Sequence, residues 1–313
     1  MKSKIAVNIG KLKLKNPVMV ASGTFGYAEE FKDFINLKQL GAIVTKTITL
    51  KPRQGNPAPR TCETAAGMLN SIGLENPGIE KFIEGKLPVL KKIGVPIIIS
   101  IASENDPEEF VALAKRLDKI KEVAGIELNI SCPNIRSHSS LLMVHNAKLI
   151  SQDADSTYGL VSAVRKVTQK ILITKLSPNV TDITEIALAA ESAASDAVSL
   201  INTVNAMSID IEERAPKIAS ITGGLSGPAI RPIAVRMVWE VYQKIKIPII
   251  GMGGIIDTPS ALEFFLAGAS AVAVGTANFV NPRITIEIIK GIEKYLKENK
   301  INDIKTLIGG LKI

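Results

Sequence analysis

Cysteine is scarce in this chain, with Cys62 and Cys132 the only two in 313 residues. Two thiols exclude a disulfide framework, and they cannot by themselves hold an iron–sulfur cluster that needs four thiolates. Aromatic residues amount to 4%, with a single Trp, which is poor material for stacking on nucleic-acid bases. His138 and His145 are the only histidines, they are not spaced as a helical metal pair, and no HExxH occurs. No metal site is expected. No GxxxxGK[ST] phosphate loop is present, and no apolar run is long enough to cross a bilayer. The stretch from Met1 to Val7 lacks the apolar core and cleavage site of a secretory signal, so the expected compartment is the cytoplasm.

Charge is unbalanced toward lysine, with 38 basic against 30 acidic residues and a net charge of +8. The basic side chains are dispersed, and the tail lysines 290, 294, 297, 300 and 305 alternate with Glu287, Glu293 and Glu298. This is the pattern of a solvated surface, not of a nucleic-acid stripe, and it is compatible with a small anionic substrate. Apolar residues make up 46% of the chain and mean hydropathy is +0.22, enough for a large core.

What is present repeats. Short β-rich apolar runs occur at 17–21, 42–46, 96–101, 125–130, 171–176, 196–201, 247–252 and 271–275. Stretches with helical spacing lie at 28–39, 78–93, 106–122, 159–169, 182–193, 231–245, 258–267 and 283–297. Nearly continuous apolar strands are buried on both faces, as parallel strands are. Eight alternations predict a (β/α)₈ TIM barrel formed by one domain over residues 1–313, with a small N-terminal hairpin at 4–15 beneath it. Long connections at 47–77 and 202–230 leave the C-terminal ends of strands two and six, where barrel active sites sit, and 132–157 is a third candidate lid.

Polar residues gather at those strand ends: Ser22, Lys46-Thr47, Ser100, Asn129, Lys175 and Asn202-Thr203. Two lysines there need a purpose, because an unpaired buried ammonium is costly. Gly253-Gly254 and Gly275-Thr276 follow strands seven and eight. They fit either a phosphate site or two tight turns. Ile256 stands where a dinucleotide fingerprint needs its last glycine, so a phosphate there would belong to a mononucleotide. Cys132, between Ser131 and Pro133, is either a small buried hydrophobe or a catalytic base.

At these residues the chain resembles the dihydroorotate dehydrogenase family. The resemblance is carried by LKNPVMVASGTFG (14–26), TKT (45–47), GMLNSIGLENPG (67–78), ELNISCPN (127–134), KLSPNVTDI (175–183), INT (201–203), ITGGLSGPAIRPIA (221–234), IPIIGMGGI (247–255) and GASAVAVGTANF (268–279). It implies an FMN enzyme that oxidises dihydroorotate to orotate in pyrimidine biosynthesis. Cys132, Lys46 and Lys175 are its implied catalytic residues. FMN would contact Ser22, Lys46, Thr47, Ser100, Asn129, Lys175, Ile201, Gly227, Gly253, Gly254, Gly275 and Thr276. Substrate would be held by Lys46, the segment Asn70, Ser71, Ile72, Gly73 and Leu74, and by Asn129, Asn134, Asn202 and Thr203. The TGGLSGPAI (222–230) and GMGG…AVAVGTANF (251–279) stretches resemble the NAD-linked, two-subunit class more than the fumarate-linked homodimers. That class implies a homodimer, or a heterotetramer with a partner carrying FAD and a 2Fe-2S cluster. The chain departs from the family pattern at Ser100, where asparagine is common, across 135–157, and just beyond Thr203.

Three readings stay open beside this one. The same oxidation can run to fumarate or another acceptor. A tRNA dihydrouridine synthase-like enzyme would share an FMN barrel and a cysteine after an Asn-x-x-Cys-Pro motif. A non-catalytic flavin scaffold would need no Cys132 at all.

Overall fold

The computed structural model describes residues 3–103, 106–130 and 150–313. Eight parallel strands close into a barrel: β1 (Val18–Val20), β2 (Ala42–Val44), β3 (Ile97–Ile101), β4 (Val123–Asn129), β5 (Ile171–Lys175), β6 (Ala197–Leu200), β7 (Ile249–Gly251) and β8 (Ala271–Val274). Each pairs with its neighbours in sequence, and β8 closes on β1 through Val272↔Val18. Seven of the eight are buried at every position, β4 at all but one. This is why they read as unbroken apolar runs. The eight predicted strands are all present.

Helices surround the barrel: α1 (Gly78–Lys81), α2 (Leu87–Lys91), α3 (Pro107–Asp118), α4 (Ala154–Arg165), α5 (Ile183–Ser192), α6 (Arg231–Tyr242), α7 (Thr258–Ala267), α8 (Ala277–Val280) and α9 (Ile284–Glu298). A π-helical turn, Phe82–Lys86, joins α1 to α2. Caps set several of the starts. Asp106 accepts from Glu108 N–H ahead of Pro107, and Asp257 and Ser260 form a reciprocal capping box for α7.

Three sequence expectations are corrected. The helix expected over 28–39 is instead two short 3₁₀ turns, Glu29–Phe31 and Leu37–Gln39. Ala28 is left-handed, and Glu30 and Asn36 bind the backbone N–H groups of Tyr27 and Lys38, which competes with a regular helix. Next, α4 begins at residue 154, not 159, because Asp153 caps it through Ser156, within the stretch read as a lid. Finally, the connections 47–77 and 202–230 are not loops throughout. Thr61–Thr64, Gly67–Asn70, Thr222–Ser226 and Val204–Met207 form one four-stranded antiparallel sheet.

The N-terminal hairpin pairs Val7–Ile9 with Leu12–Leu14. Its turn residue Gly10 packs against Asp196 and Ile171, at the N-terminal ends of β6 and β5, so the hairpin lies under the barrel as expected. No helix among the described residues is long and apolar enough to cross a membrane.

Candidate active site at the barrel mouth

A cavity of about 340 Å³ opens at the C-terminal ends of the strands. That is within the usual range for small-ligand sites, roughly 300–1,000 Å³. Its lining brings together Ser22, Lys46, Thr47, Asn129, Lys175, Ile201, Gly227, Gly253, Gly254, Gly275 and Thr276. Asn70, Ile72, Gly73, Leu74, Asn202 and Thr203 line it as well. These are nearly all of the residues singled out in the sequence, drawn from seven strand ends and both excursions.

Two residues stand behind the wall. Ser100 is fully buried on β3, and its hydroxyl lies 3.0 Å from Thr47 Oγ1. Ser71 is buried and its Oγ accepts from Asn56 Nδ2 at 2.8 Å. Their place is one of support. Cys132 and Asn134 lie outside the described residues, as do His138 and His145.

The polar groups are held by one another. Asn129 Nδ2 donates to Thr47 Oγ1 at 3.1 Å, and Asn202 Nδ2 approaches Asn129 Oδ1 at 3.5 Å. Lys175, buried, donates to Ser22 Oγ across the barrel at 3.1 Å. Neighbouring strands carry these side chains at one level, since Asn129 pairs with Lys175 in the β4–β5 ladder. A buried amide and ammonium fixed by hydrogen bonds are poised to meet a polar ring edge without rearrangement.

The opposite end of the cavity is built from backbone. Gly253 and Gly254 have φ of 123° and 75°, conformations that favour glycine. A Cβ on Gly254 would meet Arg231 Cβ at 2.7 Å and Gly227 O at 2.9 Å. Among the described residues, the N–H groups of Gly253, Gly254 and Thr276 donate to no backbone carbonyl. N–H groups without a backbone acceptor on glycine turns, lining the cavity, are able to meet a phosphate. Both readings left open for these glycines, tight turns and an anion site, are compatible with this geometry.

The excursion sheet roofs the cavity from one side. Gly67–Asn70 and Thr222–Ser226 pair through Asn70↔Gly224, and Asn70 Nδ2 donates to Gly224 O at 3.2 Å. Thr203 O accepts from Asn179 Nδ2 at 3.0 Å. Several lining residues escaped the sequence reading, among them Thr61, Met68 and Ser226. Ser226 accepts from Thr276 Oγ1 at 2.7 Å, tying the roof to the glycine end. Only the placement of Ser226 between Gly224 and Gly227 signalled it, and a serine beside glycines reads first as a turn.

Comparisons with known proteins agree with this architecture. Residues 4–296 match the family model described as dihydroorotate dehydrogenase. The chain is 53% identical over 312 residues to a protein of Trichlorobacter lovleyi, covering all of both chains. It is 52% identical over 309 residues to one of Geobacter metallireducens, covering 99% of this chain and 98% of the other. It is also 52% identical over 309 residues to one of Thermoanaerobacter pseudethanolicus, covering 99% of each. All three relatives are named as the catalytic subunit of dihydroorotate dehydrogenase B (NAD(+)).

Proposed function

The chain belongs to the dihydroorotate dehydrogenase family, and from that premise we propose that it oxidises dihydroorotate to orotate with FMN seated in the barrel mouth. One observation carries the reading. A single cavity joins a glycine-built anion site to a cluster holding Lys46, Asn129 and Lys175, as a phosphate-bearing redox ring and an anionic substrate together require.

The residues present fit FMN. Gly253, Gly254, Gly275 and Thr276 offer N–H donors to its phosphate, and Gly227 adjoins them in the same cavity. Ser22, Thr47, Asn129 and Lys175 offer donors to its polar ring edge, and Ser100 holds Thr47 from behind. When bound, FMN supplies the acceptor for a hydride.

This chain's own side chains do the rest. Lys46 and the amides of Asn70, Asn129, Asn134 and Asn202 bind the substrate carboxylate and its imide-like ring, with Thr203 and the Ser71–Leu74 backbone completing the cradle. Cys132, three residues beyond the end of β4, removes the proton from the carbon beside the ring carbonyl. Lys175 places a positive charge where negative charge gathers as the hydride leaves.

The relatives' shared name, a catalytic subunit with NAD(+), supports passing the electrons onward to NAD through a partner subunit, and the family resemblance puts FAD and a 2Fe-2S cluster on that partner. The assembly is then a homodimer of this chain or its heterotetramer with that partner. The whole chain acts as one FMN-binding domain in the cytoplasm, in pyrimidine biosynthesis.

The test is anaerobic. Purified protein should release FMN on denaturation, and its visible absorbance should bleach on adding dihydroorotate, with stoichiometric orotate. Bound flavin that dihydroorotate leaves oxidised, but that reduces uridines in tRNA given NADPH, would replace this reading with the dihydrouridine synthase one.

A further inference from the structure

Among the described residues only two charged side chains are buried, and their signs are opposite: Glu127 at 1% exposure and Lys175 at 4%. Both lie inside the barrel. Glu127 precedes Asn129 by two positions on β4, so it shares that residue's inward face one layer deeper. Its Oε2 accepts from Ser199 Oγ at 3.1 Å. Ser199 belongs to β6, which is separated from β4 by β5, so this bond runs through the lumen. Ser199 is also level with Lys175 in the β5–β6 ladder. Three adjacent strands therefore bring a carboxylate, a hydroxyl and an ammonium to one side of the lumen, Lys175 on the cavity wall and the other two beneath it.

Neither charge is satisfied by neutral partners. Oε1 of Glu127 has no hydrogen-bond partner, and one hydroxyl on Oε2 leaves most of a carboxylate's acceptor capacity unused. Lys175 Nζ donates to the Ser22 hydroxyl, an acceptor without charge. An isolated buried ion of either sign is strongly disfavoured, whereas opposite ions in one low-dielectric space offset each other. Packing alone would favour an uncharged residue at this buried position, so the carboxylate answers to the lysine.

We infer that Glu127 is the counter-charge of Lys175: a positioning residue, out of the cavity, that balances the ammonium through the lumen without touching it and sets the net charge beneath the FMN site. The part concerning flavin rests on the FMN reading above. With the carboxylate present, the field of the lysine on the ring is moderated. Without it, an uncompensated positive charge stabilises the anionic reduced ring and destabilises the folded chain.

A four-protein cycle tests this: wild type, Glu127→Gln, Lys175→Met and the double variant. The first readout is the thermal midpoint of the flavin-stripped chain. Glu127→Gln should lower it by several degrees when Lys175 is present and by clearly less in the Lys175→Met background. The second is the midpoint potential of bound FMN, which Glu127→Gln should raise in the wild-type background and leave nearly unchanged without the lysine. Glu127→Asp should restore part of both. Equal shifts in the two backgrounds, or a fall in potential, would overturn the pairing. If Glu127→Gln fails to fold, rescue by Lys175→Met supports it, and failure of both variants overturns it. Should no protein in the cycle bind FMN, the function proposed above falls, while the stripped-chain comparison still decides the pairing.

Discussion

The Thr47 hydroxyl lies 3.0 Å from that of Ser100 while accepting a hydrogen bond from Asn129 at 3.1 Å, so a residue outside the cavity orients one on its wall. Ser100→Ala removes the rear partner and leaves Asn129 in place. A lost neutral hydrogen bond is worth about 1 kcal/mol, or roughly a fivefold change in affinity. Titrating stripped protein with FMN and following flavin fluorescence should show that loss. An unchanged affinity would mean the Thr47 hydroxyl needs no support.

Cys132→Ser replaces a thiol by a hydroxyl, a much poorer base. General base catalysis contributes about 10²–10⁴-fold. Stopped-flow reduction of the bound flavin by dihydroorotate should slow within that span, most severely at low pH. Comparable rates in the two proteins would remove Cys132 from the mechanism.

Gly224 sits opposite both Asn70 and Asn205 in the roof sheet, and a methyl group there would overlap the Thr203 side chain. Gly224→Ala should push Thr203 out of position in the substrate cradle while sparing the glycine turns at the far end. The expected result is a rise in KM for dihydroorotate of about tenfold, equivalent to ~1.4 kcal/mol, with FMN retained. Loss of flavin in step with substrate affinity would show that the two subsites are not separable.

Asp118, the last residue of α3, accepts from Thr168 Oγ1 at 2.7 Å and from Gln169 N–H at 2.8 Å. These bonds hold its carboxyl below the usual range, the Thr168 hydroxyl most of all. Protons therefore bind the unfolded chain more readily than the folded one near pH 4. The stabilisation is fully present above the unfolded value, about 3.9, and disappears as pH falls through the lower folded value. Asp118→Asn should cost about 1 kcal/mol in urea unfolding at pH 7, a difference that shrinks below pH ~4. A constant difference at both pH values would remove the charge from the explanation.

Much of the barrel is legible in the sequence for a simple reason. A parallel strand buried on both faces, such as Ile171–Lys175, is an apolar run, and its first inward polar residue marks the mouth. That logic located Lys175, Asn129 and Thr47 before any coordinates. It fails where the signal is non-local. The roof sheet joins Asn70 to Gly224, 154 positions away, through strands that are half-exposed and glycine-rich. It fails again at Glu127, because a lone carboxylate within GIELNI does not declare which face of the strand carries it. The 28–39 segment misled for a third reason: side chains of Glu30 and Asn36 satisfy backbone N–H groups that a helix would have used.

The roof sheet has a consequence for how such an enzyme can diversify. Excursions from β2 and β6 are stitched edge to edge, so a one-residue slip in Gly67–Asn70 would turn Asn70 away from the cavity and break its register with Gly224. Neither excursion can lengthen or shift alone. A change of ring preference in a descendant of this chain would have to arrive as matched alterations in two segments that lie far apart in the gene.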